Sequence, residues 1–248
     1  VEATSLIPVG VEGVYKRPYS TVLIVAVNVA VFILYFLQGP RAFNEAVAKL
    51  GFTPVNLLGM KELHTIFTSM FMHGDALHLL SNMLYLYVFG GAVEARMGSA
   101  RFLPFYMACG VAAAYIHSFV ELASQRSLNV PCVGASGAIS GVLGAYLLLF
   151  PWSSVRIMAF SLLGLPIIVP LPAALFLITW FALQLWMGFT SLRLPFSLGV
   201  AFWAHVGGFL AGMLLAYLLK GGRRAVVFGG RMWYEVPIRA LGLRAKGA

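Results

Sequence analysis

Charge is scarce in this sequence. Of 248 residues only 10% are Asp, Glu, Lys or Arg, while 60% are hydrophobic, far from the roughly one-quarter charged make-up of an ordinary soluble domain. Water is therefore not its main solvent. Aspartate is limited to Asp75, beside seven glutamates, so little carboxylate is on hand for acid–base work. The two cysteines, Cys109 in an apolar run and Cys132 in a loop, make no disulfide framework, and we read both as free thiols. Internal repeats are missing as well, which argues against the inverted halves of a transporter. No platform of arginines and aromatics accompanies the net charge of +9, so we expect no nucleic-acid partner.

What the chain has instead is long apolar runs, at Tyr19 to Leu37, Ala76 to Glu94, Phe102 to Leu122, Gly134 to Phe150, Leu171 to Phe189 and Phe196 to Leu219. About 20 helical residues suffice to cross a hydrocarbon core. The expected fold class is an all-α integral membrane protein, a six-transmembrane-helix bundle with a long outer loop between helices 1 and 2. Lys and Arg gather in alternate connections: Lys16, Arg17, Arg96, Arg101, Arg156, Lys220, Arg223, Arg224, Arg231, Arg239, Arg244 and Lys246 fall on one side, twelve of seventeen. By the positive-inside rule both termini are cytosolic, and the expected location is a bacterial cytoplasmic membrane. The first run is too long, and too poor in a small-residue cleavage site, to be a removable signal peptide. Val1 stands where Met is usual, as in a trimmed chain.

Three divisions follow: an N-terminal cytosolic tail over 1–18, a six-helix domain over 19–219, and a basic, Gly-rich cytosolic tail over 220–248. The tail's Val226, Val227, Phe228, Trp233 and Tyr234 form runs too short to span. The loop between the first two spans runs for nearly forty residues, and loops beyond about 15 residues usually carry function. Within it, Arg41 to Leu50 reads as a short amphipathic helix, and Phe67, Met70, Phe71 and Met72 dip into the interface. The other side has short connections, so the outer side is the working one.

Polar side chains inside membrane spans are costly and are functional candidates by default. Three groups qualify: HGDALHLLSN from His73 to Asn82, GASG from Gly134 to Gly137, and AHVGG from Ala204 to Gly208. Each also has a bland reading, since Gly137 with Gly141 and Gly208 with Gly212 are spaced as small-residue packing faces. Those same faces let the fourth and sixth spans approach closely, as a hydrogen bond from Ser136 to His205 requires. Counted from Phe196, His205 lies about nine residues, or about 13 Å, down its span, and Ser136 starts a span that begins submerged. A nucleophile at a helix start has unpartnered backbone N–H groups beside it. The N–H of Ser136, with donors from His78 and Asn82 one helical turn apart, is placed to receive an oxyanion.

At this point the chain resembles the rhomboid family of intramembrane serine proteases. The residues that carry the likeness are HGDALHLLSN, GASG, AHVGGFLAG and GGAVEARMGS from Gly90 to Ser99, in the family's order. The resemblance implies that Ser136 is the nucleophile, His205 the general base and then acid, and His78, Asn82 and Ser136 the oxyanion hole. His73, Gly134, Gly137, Ser140 and Gly208 are expected to support the site, Gly208 through tight helix packing, while Glu94 and Arg96 resemble a cytosolic-end brace. It implies a Ser–His dyad with no third carboxylate, no cofactor and no metal, acting on single-pass transmembrane protein substrates in lipid. The fifth span, with the loop from Thr190 to Pro195, is expected to gate substrate entry.

Two departures stand out. His64-Thr65 replaces the family's frequent Trp-Arg pair in the outer loop, and Ser140 stands where a ring often stacks on the catalytic histidine. Ser140 shares a helix face with Ser136, so its hydroxyl is expected to replace that stacking with a hydrogen bond. His64 and His117 are read as structural or solvated residues near the outer interface. The main alternative is a catalytically inactive rhomboid-like protein that binds membrane clients, although the retained Ser136, His205, His78 and Asn82 argue against it. A metal hydrolase is disfavoured because His73 and His78, five residues apart, point about 140° apart on a helix. A channel or transporter is ranked low.

Overall fold

The computed structural model describes residues 7–11, 17–160, 165–194 and 199–219, together with the backbone of 225–228 and 231–234. In chain order the elements are β1 (Ile7–Val11), α1 (Tyr19–Phe36), α2 (Pro40–Leu50), α3 (Val55–Leu58), α4 (Thr65–Thr68), a 3-10 turn (Ser69–Phe71), α5 (Ala76–Met97), α6 (Ser99–Ser124), α7 (Ser136–Leu149), β2 (Ser154–Phe160), β3 (Pro166–Pro172), α8 (Ala173–Ser191), α9 (Phe202–Leu219), β4 (Ala225–Phe228) and β5 (Arg231–Tyr234). Long apolar runs become helices because in hydrocarbon every backbone polar group must bond within its own segment. α1, α5, α6, α8 and α9 are each long and apolar enough to cross a membrane. The protein is a helical membrane bundle.

α7 differs from these five. It has 14 residues, about 21 Å at 1.5 Å per residue, short of a hydrocarbon core about 30 Å thick. Everything from Ala138 to Tyr146 is buried, so α7 is the central post around which the longer helices stand. Its large neighbours are aromatic: Tyr146 meets Phe89 edge-on at 5.0 Å between ring centroids, and both are fully buried with Phe102, Tyr106 and Phe209.

Glycine sets the closest crossing. A Cβ added to Gly208 would strike the carbonyl of Gly137, and one on Gly212 would strike the backbone of Gly141. The α7 and α9 backbones therefore touch along two successive turns, as the small-residue faces predict.

Helix ends are capped by side chains the sequence made conspicuous. Asp75 accepts the backbone N–H of His78 at 2.8 Å, a helix N-cap. Glu94, 2% exposed, reaches from the end of α5 to the start of α1. It accepts the N–H of Ser20 at 2.9 Å, the N–H of Thr21 at 2.8 Å and the Thr21 hydroxyl at 2.7 Å. A carboxylate on these leading N–H groups serves both their unmet bonds and the helix dipole.

The expected spans lie close to the helices except at the sixth, where α9 begins at Phe202 rather than Phe196. His205 is thus on the first turn of its helix, not about nine residues down it. The expected span start, and Pro195 at the end of the Thr190–Pro195 loop, fall among residues 195–198, outside the described residues. The basic tail from Lys220 also lies outside them, apart from the backbone of β4 and β5, which pair antiparallel.

A second difference is a three-stranded antiparallel sheet, β1-β2-β3, formed by the α7–α8 connection and by part of the expected N-terminal tail. Val155 and Ile157 alternate inward and are fully buried, opposite Leu171 and Val169 of β3. The prolines of β3 fall at 166, 170 and 172, on one edge by the period-two rule. Lacking N–H groups, they close that edge to further pairing.

Two stability outcomes follow, read as thermal midpoints in detergent. Gly212→Val is expected to cost about 3 kcal/mol, the upper range of overpacking, whereas Gly10→Ala, at a glycine with open space around it, leaves the midpoint unchanged. Glu94→Ala removes three charge-assisted bonds and is expected to cost about 2–3 kcal/mol, with Glu94→Gln in between.

Candidate active site

The long loop and the α6–α7 connection are joined before the site is reached. Phe52 and Cys132 exchange backbone hydrogen bonds at 2.9 and 2.7 Å, and the N–H of Gly134 bonds Ser69 at 2.9 Å. Thr68 donates its hydroxyl to Leu50 at 2.8 Å, and Thr65 is fully buried and donates to Glu62 at 2.7 Å. His64 is exposed. Backbone pairing and threonine hydroxyls therefore anchor this loop.

Gly134 has φ +120°, a conformation that favours glycine. A Cβ there would sit 2.8 Å from the ring of His78 and 3.8 Å from the Ser136 hydroxyl. The His78 imidazole thus lies over the bend that delivers the nucleophile. Ser136 is the first residue of α7, whose helical ladder opens with the Ile139 N–H on Ala135 at 2.9 Å. The N–H groups of Ser136, Gly137 and Ala138 precede that ladder, where an anion is favoured.

His205 meets Ser136 directly, with 2.9 Å between Nε2 and Oγ. Asn82 is buried and gives one amide N–H to the His78 carbonyl at 2.9 Å; an amide carries two such hydrogens. His73 packs edge-on against His78, 5.1 Å between centroids. Burial, and then the neighbouring His78, push its pKa down to about 3, so it stays neutral across the physiological range. The structure gathers Ser136, His205, His78, Asn82, His73, Gly134, Gly137 and Gly208 around one end of α7.

Ser140 behaves otherwise than the sequence suggests. Its hydroxyl donates to the Ser136 carbonyl at 2.7 Å, the usual return of a helical serine to the residue four before it. His205 is met from α8 instead. Its Nδ1 lies 2.8 Å from Oε1 of Gln184, and the Trp180 ring stands 6.0 Å away at 35°. Sequence reasoning missed both. The signal was available, since Gln184 is the one amide in an otherwise apolar span, the kind of residue to be read as functional by default.

A second nucleophile–imidazole pair lies close by. Cys132 Sγ is 3.2 Å from Nε2 of His117, and both line a cavity of about 50 Å³ that also touches Ser136, Gly137 and Met70. Burial pushes the Cys132 thiol up to about 12, so the reactive thiolate is not populated near neutral pH. Both cysteines are free. Among the described residues no three His, Cys, Asp or Glu side chains gather as a metal site.

Comparison with known proteins shows the family. A family model described as the Rhomboid domain matches residues 60–221. The chain is 32% identical over 225 residues to the Rhomboid protease GluP of Bacillus subtilis (strain 168), covering 91% of this chain and 39% of that protein. It is 28% identical over 202 residues to Rhomboid protein 1, mitochondrial, of Saccharomyces cerevisiae, with 79% and 52% covered. RHOMBOID-like protein 5 of Arabidopsis thaliana is 31% identical over 185 residues, with 74% and 52% covered. The chain thus spans about half or less of the length of these relatives. The matched segment takes in α5 to α9 and every residue gathered at the site, and the chain belongs to the rhomboid family.

Proposed function

We propose that this chain is an intramembrane serine endopeptidase that cleaves transmembrane proteins in or beside their membrane segment. The observation that carries the reading is the 2.9 Å contact between Ser136 Oγ and His205 Nε2 at the start of a buried helix.

In this reading His205 Nε2 takes the Ser136 hydroxyl proton as Oγ attacks the scissile carbonyl carbon. Negative charge then develops on the carbonyl oxygen, facing the N–H of Ser136 and the side chains of Asn82 and His78. The backbone N–H and the Asn82 amide carry no charge, which suits a site where a fixed charge is costly to bury. Collapse of the intermediate breaks the C–N bond, and His205 returns the proton to the leaving amine. A water, deprotonated by the same imidazole, then attacks the acyl carbon, and as the bond to Ser136 Oγ breaks His205 returns the proton to that oxygen.

The cavity beside Ser136 is walled by Gly110, Ala113, Gly137, Ala138 and Ala204. At about 50 Å³ it holds a few waters or a small side chain, in keeping with small residues at the cut. The excess of Lys and Arg on one side favours cytosolic termini, and the likeness to a Bacillus subtilis protein supports a bacterial cytoplasmic membrane. Substrates are then single-pass membrane proteins entering from lipid.

Two measurements test this. Purified protein in lipid vesicles is expected to react with a fluorophosphonate probe at Ser136, with labelling lost in Ser136→Ala, slowed about 10³-fold in His205→Ala, and retained in Cys132→Ala. No labelling of the wild type under these conditions would favour a client-binding protein instead. Incubation with a panel of single-span membrane proteins is expected to yield cut products whose new ends map to membrane segments, absent with Ser136→Ala and unaffected by a metal chelator. Loss of cleavage on chelation, with recovery on added zinc, would overturn the serine mechanism.

A further inference from the structure

We propose that Gln184 is a positioning residue for His205, the third member of a hydrogen-bonded chain that runs Ser136–His205–Gln184. The inference rests on the serine-protease reading and deepens it. The two contacts lie on opposite nitrogens of one ring, 2.9 Å from Nε2 to the serine and 2.8 Å from Nδ1 to the Gln184 amide oxygen. A carbonyl oxygen only accepts, so Nδ1 carries the proton, and the lone pair on Nε2 is left for the Ser136 hydroxyl. This is the tautomer a general base needs. A third group that fixes it completes the logic of a catalytic triad.

The ring is also held against rotation. Trp180, one helical turn before Gln184 and on the same face of α8, stands 6.0 Å from His205, and Phe202 meets it edge-on at 6.5 Å. One face of α8 thus supplies both the acceptor and a flanking ring, the two supports that Ser140 does not give.

An amide differs from a carboxylate in one respect that can be measured. It fixes the tautomer but adds no negative charge to stabilise the imidazolium that forms during catalysis. No Asp or Glu occurs in α7, α8 or α9, and a carboxylate inside the bundle would be costly unless paired. The titratable groups acting on His205 are both imidazoles, His78 from α5 and His117 from α6. From α7 it meets the Ser136 hydroxyl and from α8 an amide and an indole, none of which ionises near neutral pH. Gln184→Glu would therefore bring the one acidic group to the ring.

The test compares full-length wild type, Gln184→Leu and Gln184→Glu in lipid vesicles, by cleavage kinetics across pH, by fluorophosphonate labelling and by 15N-histidine NMR. Gln184→Leu keeps the volume and loses the acceptor; kcat and labelling rate are expected to fall at least about tenfold, with KM within about twofold. Gln184→Glu is expected to recover most of that loss and to move the acid limb of the kcat profile upward by about one pH unit or more. NMR is expected to find the wild-type His205 neutral and protonated at Nδ1, a signature lost in Gln184→Leu. Wild-type kcat and an unshifted pH profile in Gln184→Leu overturn the proposal. So do equal losses in both variants, or a wild-type ring protonated at Nε2. Failure of the wild type to label at Ser136 is a separate result: it defeats the serine-protease reading first and removes the inference with it.

Discussion

The crossing of α7 and α9 is the contact on which the site depends. In lipid no hydrophobic force draws helices together, so close association relies on packing and on small residues that let backbones meet. Here two glycines on each helix, four residues apart, face one another in register: Gly137 with Gly208, and Gly141 with Gly212. That register fixes more than distance. Ser136 lies immediately before Gly137 of α7, and His205 lies three residues before Gly208 of α9. Both helices begin on the same side of the bundle, so interlocked glycines leave the two first turns facing each other. The 2.9 Å contact between Ser136 and His205 is the geometric result of packing further along the same helices.

Around that contact carboxyl groups are few and are engaged elsewhere, Glu121 lying buried on α6 3.9 Å from His117. The single aspartate is occupied as the N-cap of α5, and Glu94 is occupied at the start of α1, far along α5 from His78. His73, in the loop before α5, is held neutral by burial. Beside the nucleophile itself stand dipoles, the leading N–H groups of α7 and the Asn82 amide. In a poorly polarisable interior such groups are strong partners for a transient charge and cost far less than fixed ions while none is present.

Much of this was legible in the sequence, for physical reasons that also mark the limits. The spans were readable because a lipid-crossing helix must be apolar along its length, and Ser136, His205, His78 and Asn82 because polar residues in such helices stand out. The start of α9 was misjudged because Phe196 to Leu219 is apolar throughout, and hydropathy cannot say where an apolar run becomes helical. The β1-β2-β3 sheet was missed because its middle strand, Ser154–Phe160, sits between two spans and its first partner, Ile7–Val11, is about 150 residues away in the chain. The expectation for Ser140 failed on a local competitor, since a helical serine finds the carbonyl four residues back without any tertiary contact. Gln184 is the instructive omission. It obeyed the rule that drew attention to the other polar residues, yet its partner sits on a different helix, and a lone amide carries no motif.

The same view explains why the long outer loop belongs to the site rather than merely covering it. A nucleophile at a helix start needs a bend before it, and the bend at Gly134 requires a backbone conformation that an L side chain rarely adopts. Nothing within the four residues of GASG enforces that bend. The enforcement comes from outside: Ser69 binds the N–H of Gly134, and Phe52 pairs with Cys132 two residues earlier, so two points of the loop between α1 and α5 grip the segment that leads into α7. Because Met70 and Ile66 are buried beside Phe52 in their own cluster, the grip is anchored in packed apolar side chains. The loop is thus held where it touches the nucleophile's segment and not only at its base.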